Sequence, residues 1–167
     1  DSHVPCKNNR VCFSTAHGNE LWVLILEKVW AKLHGDYCRI IGGLCHETFR
    51  DMTGAPGYLH STKDDDIWAK ILHADKADYA IAAGVSASNQ EEIDNLKSLG
   101  LISQHAYSVI AAAEVTDADG NYAQIVNVRN PWGSFEWTGD WADESSTWTD
   151  EAKEIAGLVV DKNDGAF

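Results

Sequence analysis

Positive charge is scarce in this chain. Thirteen Lys and Arg stand against 26 Asp and Glu in 167 residues, a formal net charge of −13. A phosphate backbone is bound by Lys and Arg that release its counterions, so this balance argues against a nucleic-acid partner. It is compatible with cation binding, or with solubility alone. Long apolar runs are missing as well. No stretch approaches the ~20 residues of a membrane span, and no basic-plus-apolar signal segment opens the chain. The four cysteines, Cys6, Cys12, Cys38 and Cys45, have no C-x-x-C spacing and form no dense framework. They read as reduced thiols of an intracellular, cytoplasmic protein. A zinc site built from His34, Cys38, Cys45 and His46 would match no ribbon or finger spacing. Nothing repeats and no long linker appears, so residues 1–167 read as a single domain able to bury a core. Asp1-Ser2-His3 lacks an initiator Met, as a piece cut from a longer protein would.

The clearest periodicity lies in NELWVLILEKVWAKLHG, where Trp22, Ile25, Leu26, Val29, Trp30 and Leu33 recur at helical spacing. Asn19 is placed to cap this helix and Gly35 to end it, which reads as a helix packed on a core. A short helix is expected over about 46–52, then a Gly/Pro turn. DDDIWAKILHADKA reads as a second amphipathic helix, with Asp64–Asp66 at its electropositive end. DYAIAAGVSAS has the composition of a strand, and NQEEIDNLKSLG that of a short helix or loop. QHAYSVIAAAEV and NYAQIVNVRN flank TDADG, a strand–turn–strand pattern around Asp119-Gly120.

A hairpin turning near 117–120 makes opposed residue numbers sum to about 235–239. His105 then faces a position within 130–134, with Asn130 at one limit; a bulge would decide the register either way. A carboxamide beside an imidazole can accept its N–H and fix its tautomer, leaving the other ring nitrogen to pair with a thiolate. Cys-His-Asn is the papain-like form of nucleophilic catalysis, and two of its three members are candidates here.

HAYSV at 105–109 and RNPWGSFEWTGDW at 129–141 closely resemble the calpain family of papain-superfamily cysteine proteases. The similarity continues through ELWVLILEKVWAKLHGDY (20–37), the Gly pair with ETFRDMTG (42–54), and DGAF at the C-terminus. The Asn-Pro-Trp-Gly and Glu-Trp-Thr-Gly pairing is its most specific part. The resemblance implies an α+β fold, the papain-like C-terminal subdomain, with an antiparallel, barrel-like sheet flanked by helices. It implies His105 as catalytic base, Asn130 as its orienting partner, and Trp132 as an indole that shields the His–Asn bond from water. Calpains carry the nucleophile in a preceding subdomain, as Gly-Asp-Cys-Trp at a helix start. No cysteine here has that setting; Cys45, ahead of the short helix, comes nearest. The chain therefore reads as the His/Asn half of a protease core, inactive alone, partnered by the Cys-bearing subdomain of the same parent and acting on protein substrates. Two departures stand out. Gln104 occupies the place of the glycine that calpains usually have before the His, and Ala166 that of a glutamate.

By the same resemblance, calcium is the expected cofactor, held by a loop-built site rather than an EF-hand. Its ligands would be Glu136, Asp143, Asp164 and the backbone carbonyl of Lys162. Hard oxygens on loops suit an ion that takes roughly six to eight of them, and the loss of a carboxylate at Ala166 predicts weak affinity. The alternative is a solvated acidic face. DADGN at 117–121 is no EF-hand, since Val128 stands where the twelfth-position Glu belongs. A function of a different class is a catalytically inactive calpain-like module that acts through protein binding. A Gly-Asp-Cys-Trp segment upstream of Asp1 would separate the two.

Overall fold

The computed structural model describes residues 3–15, 18–158 and 164–167. The chain divides into two compact units, Asp1–Pro56 and Gly57–Phe167.

The first unit opens with a two-residue hairpin, β1 (Cys6–Lys7) against β2 (Arg10–Val11). Asn8 and Asn9 form its turn at φ 52° and 58°. Asn tolerates left-handed backbone well, and two such residues in succession give the primed turn that suits tight hairpins. Helix α1 runs from Trp22 to His34. It starts later than Asn19 would place it: Leu21 is the N-cap residue and no side chain caps it. Gly35 ends it as expected, at φ 111°, donating its N–H to the Lys32 carbonyl. A 3₁₀ turn (Tyr37–Ile40) follows, and then α2 (Cys45–Thr53), closed by Gly54 in the left-handed region.

The apolar stripe on α1 departs from the core-packing expectation. Leu24 and Ala31 are buried, whereas Trp22 and Leu33 are 62% and 66% exposed, with Ile25, Leu26 and Val29 exposed beside them. The helical period is real, but the described part of this unit is too small to cover the face it predicts. Leu26, Val29, Trp30 and Leu33 instead line an open groove with Asp51 and Met52.

The second unit is built on an antiparallel sheet in the order β3 (Ile81–Val85), β4 (His105–Thr116), β5 (Tyr122–Arg129). The sheet is open rather than closed into a barrel, because β3 and β5 are its two edges. Helix α3 (Ile67–Lys76) packs on β4, tied there by the Trp68 indole N–H donating to Glu114 at 2.7 Å. Helix α4 (Gln90–Ser98) is capped by Asn89, whose side chain accepts from Glu92 N–H at 2.9 Å. Helix α5 (Asp150–Ala156), capped by Thr149, lies against β4 and buries Ala152. The β4–β5 turn is closed by Asp117, whose carboxylate accepts from the backbone N–H of Asp119 and Asn121, with Gly120 at φ 86°. Among the described residues of this unit, Tyr107, Val115 and Asn130 are the other buried ones outside its glycines.

Candidate active site

Strand β4 exposes and buries residues alternately, so His105, Tyr107 and Val109 share the inward face. From Thr116↔Tyr122 to Ala111↔Asn127 the paired numbers sum to 238. Continued unbroken, that register sets Asn130 opposite Ser108, on the wrong face for His105. A bulge at Ile110 prevents this. Beyond it the pairs are Val109↔Val128 and Ser108↔Arg129, so Asn130 follows opposite Tyr107 and joins the face of His105. His105 Nε2 and Asn130 Oδ1 are 2.9 Å apart.

The surroundings of Asn130 decide which way each group points. Its side chain is fully buried. Nδ2 donates to the carbonyls of Ser134 and Phe135 at 2.7 and 3.2 Å, and Oδ1 accepts the Trp132 backbone N–H at 3.1 Å. Only this orientation of the amide satisfies all three. Since Oδ1 cannot donate, Nε2 of His105 must carry the proton. Nδ1 is then the acceptor nitrogen, and among the described residues it makes no hydrogen bond. The imidazole is further packed by Trp132, centroid to centroid 4.7 Å at 56°, and by the Tyr107 ring edge-on at 5.0 Å. Trp132 is itself 65% exposed, a lid over the pair rather than part of a core.

Gln104 precedes His105 at φ 55°, in the left-handed region where glycine is at ease and a glutamine is not. The conformation thus accounts for a glycine being favourable here. The Gln104 residue is exposed.

Downstream of Asn130, local contacts account for the run of tryptophans. Trp137 donates its indole N–H to the Asp140 carbonyl at 2.7 Å, and its ring lies so near Gly139 that a Cβ there would stand 2.4 Å from it. Trp141 and Trp148 meet edge to face at 4.8 Å, and Trp148 donates to the Ala142 carbonyl at 2.9 Å. The same loop is pinned to the end of α4. Thr138 N–H donates to Leu99 at 3.1 Å, and at Gly100 a Cβ would collide with the Glu136 carbonyl.

The acidic residues gather near this loop. Burial pushes the Asp143 carboxyl up from its ordinary value, and the charges of Glu136, Asp164 and Glu144 push it further. Three carboxylates therefore act on a fourth here, an electrostatic setting in which a divalent cation is favourable. Their donor chemistry fits calcium, but the arrangement does not yet converge. Among the described residues, no three Asp, Glu, His or Cys side chains come together around one point. Glu136 Oε1 accepts the Gly165 N–H at 2.9 Å, and Asp164 Oδ1 the Ala166 N–H at 2.7 Å. Lys162 lies outside the described residues. The cysteines Cys6, Cys12, Cys38 and Cys45 are free thiols, and all four belong to the first unit.

Sequence reasoning passed over the residues behind the His–Asn pair. Residues 164–167 run along the free edge of β5: Val128 and Phe167 exchange both backbone hydrogen bonds at 2.9 Å, and Gly165 accepts the Asn130 N–H at 2.7 Å. The Phe167 ring meets Tyr107 edge to face at 5.9 Å. The signal for Tyr107 was its position two residues after His105 on a strand; for Phe167 there was only the resemblance of DGAF.

A buried, fully hydrogen-bonded carboxamide thus holds an imidazole carried by the neighbouring strand. A family model described as calpain family cysteine protease matches residues 1–167. The chain is 34% identical over its whole length to the calpain-type cysteine protease ADL1 of Oryza sativa subsp. japonica, of which it covers 8%. It is 33% identical, again over its whole length, to the calpain-1 catalytic subunits of Mus musculus and Homo sapiens, covering 24% of each. The chain belongs to the calpain family of cysteine proteases. It spans about a quarter or less of the length of these relatives.

Proposed function

We propose that this chain is the His/Asn half of a calcium-dependent, papain-like cysteine endopeptidase that cleaves intracellular, cytoplasmic proteins. The observation that carries the reading is the His105–Asn130 pair, with Nε2 protonated on Asn130 and Nδ1 left as the base. In this role Nδ1 takes the proton of a cysteine thiol, and the thiolate attacks the scissile carbonyl. The imidazolium then protonates the departing amine, and His105 next activates the water that releases the acyl group. Asn130 keeps Nε2 engaged throughout, and the Trp132 indole limits the access of water to that bond.

The nucleophile comes from a preceding, Cys-bearing subdomain of the parent protein. None of the four thiols here stands in a Gly-Asp-Cys-Trp setting. The exposed apolar stripe of α1 supports a partner of this kind, since a face of that composition favours burial. No helix among the described residues is long and apolar enough to cross a membrane. Calcium would be held by Glu136, Asp143, Asp164 and the Lys162 carbonyl. It would supply the positive charge that the repelling carboxylates lack, once Glu136 and Asp164 turn from their backbone partners.

The test has two arms. The chain alone shows no thiol-dependent hydrolysis of a peptide substrate. Joined to its Cys-bearing half, it cleaves, and His105→Ala lowers kcat by roughly 10³-fold or more. Turnover by the chain alone that Cys45→Ala abolishes would overturn the division of labour; near-normal turnover of His105→Ala in the joined enzyme would remove His105 from catalysis. Calorimetry with calcium tests the ion: a saturable signal lost in Asp143→Ala supports the site. No signal at millimolar calcium, or the same signal in both, leaves a solvated acidic face.

A further inference from the structure

The geometry points to residues 164–167 as a strap that positions the His105 imidazole, with Phe167 acting on it through Tyr107. This rests on the His–Asn reading above and adds a positioning element to it.

Two routes converge from the strap on the pair. The first is backbone. Gly165 accepts the Asn130 N–H at 2.7 Å, and Phe167 and Val128 exchange both hydrogen bonds at 2.9 Å, so the strap clamps β5 where the strand delivers Asn130. Arg129 and Ala166 form the intervening bridge. The clamp is tight: a Cβ on Gly165 would stand 2.7 Å from the Asn130 carbonyl oxygen and 2.9 Å from the Gly133 Cα. The second route is aromatic. Phe167 meets Tyr107 edge to face at 5.9 Å, and Tyr107 meets His105 in the same way at 5.0 Å. Tyr107 is 2% exposed and its hydroxyl accepts the Ile102 N–H at 2.9 Å, so its ring is held at both ends. Trp132 covers His105 but is mostly exposed, which leaves Tyr107 as the rigid wall of the imidazole. The depth of that wall is set by Phe167.

The far end of the strap reaches the acidic loop, where Glu136 accepts the Gly165 N–H at 2.9 Å. Asp164, within the strap, holds the Ala166 N–H.

The experiment reads the His105 Nε2 proton by NMR on the whole chain, through its exchange rate with solvent. Backbone amides in the middle of β4 and β5 serve as the control for general loosening. Phe167→Ala should speed exchange of the Nε2 proton by about tenfold with the β4 amides unchanged, as loss of ring packing frees the imidazole from Asn130. Phe167→Leu, which keeps apolar bulk, should lie between the two. Gly165→Ala should reproduce the effect through the backbone route with Phe167 intact. Asn130→Ala is the calibration, and should speed the exchange most. If Asn130→Ala moves the proton but neither strap variant does, the strap inference is overturned and the His–Asn reading stands. If Asn130→Ala also leaves it unmoved, the His–Asn reading itself fails. Equal acceleration of the Nε2 proton and the β4 amides in the strap variants would make residues 164–167 merely structural, and would likewise overturn the inference.

Discussion

Replacing Asn130 with alanine is the most informative single change, because its cost follows from the hydrogen bonds it removes. The side chain is fully buried and makes four: from His105 and the Trp132 N–H to Oδ1, and from Nδ2 to Ser134 and Phe135. Each is worth about 0.5–1.5 kcal/mol net, and each orphaned buried partner about 1–3 kcal/mol. Ser134 and Phe135 are exposed as residues and their bonds to Nδ2 are only part-buried, so the upper figures are not applied to their carbonyls. A loss of roughly 2–4 kcal/mol remains, a large part of the ~5–15 kcal/mol that holds a typical domain. Asn130→Asp keeps the volume but faces two carbonyls with a group that cannot donate to them when ionised. It should cost about as much at neutral pH, through repulsion rather than a void. Urea unfolding followed by tryptophan fluorescence measures both variants, with the m-value checking that the transition is unchanged in kind. A loss below about 0.5 kcal/mol for Asn130→Ala would refute the argument, since surface substitutions fall in that range.

Other outcomes follow from single features of the fold. Gln104→Gly should stabilise the chain by roughly 0.5–1 kcal/mol, the left-handed penalty less the added flexibility of glycine in the unfolded state. Thermal unfolding would show it, and a lower midpoint would mean that the Gln104 side chain makes interactions that outweigh its backbone. Asp143 is a carboxyl whose folded value is raised, so the native state binds its proton more readily than the unfolded state. Its contribution to stability is therefore lost as pH rises from the unfolded carboxyl range through the raised value, and regained on acidification. Asp143→Asn should raise stability at neutral pH, by less than about 1 kcal/mol, and flatten this part of the pH profile; an unchanged profile would count against the mutual repulsion. The α1 face should bind a hydrophobic dye and promote self-association, both reduced by Val29→Lys with Leu33→Lys. No difference between that double variant and wild type would show that the face is covered in solution.

The elements that were easy to read in the sequence were those specified by local chemistry. The α1 period, the Gly35 and Gly54 stops, the Asp119-Gly120 turn and the two long strands all depend on neighbours a few residues apart. Their exposure was harder, because it depends on what else is present. The α1 stripe has the pattern of a core helix and is nonetheless exposed, since periodicity says which face is apolar but not what covers it. The Asn8-Asn9 hairpin is local and legible in principle, since two adjacent asparagines tolerate the left-handed backbone of a tight turn.

The His–Asn pair lies between these cases. Counting from the turn brought His105 to within a few residues of Asn130, yet side-chain facing alternates with every residue, so a window of five positions leaves the face undetermined. The bulge at Ile110 settles it by one residue. Nothing in the IAAAE composition around it announces the bulge, because alanines and aliphatics pair in a ladder as readily as they bulge from one. The motif resemblance supplied what spacing could not. The strap and Tyr107 were less legible still. Their contribution comes from 164–167 crossing the edge of β5, a contact between residues more than thirty positions apart whose only local trace is glycine at position 165. That glycine is needed because another backbone approaches it, and the neighbour cannot be named from one chain without its fold. A site of this kind is therefore read in two stages. Residue types propose the chemistry, and the register of the strands, fixed by one extra residue, determines whether the chemical groups meet.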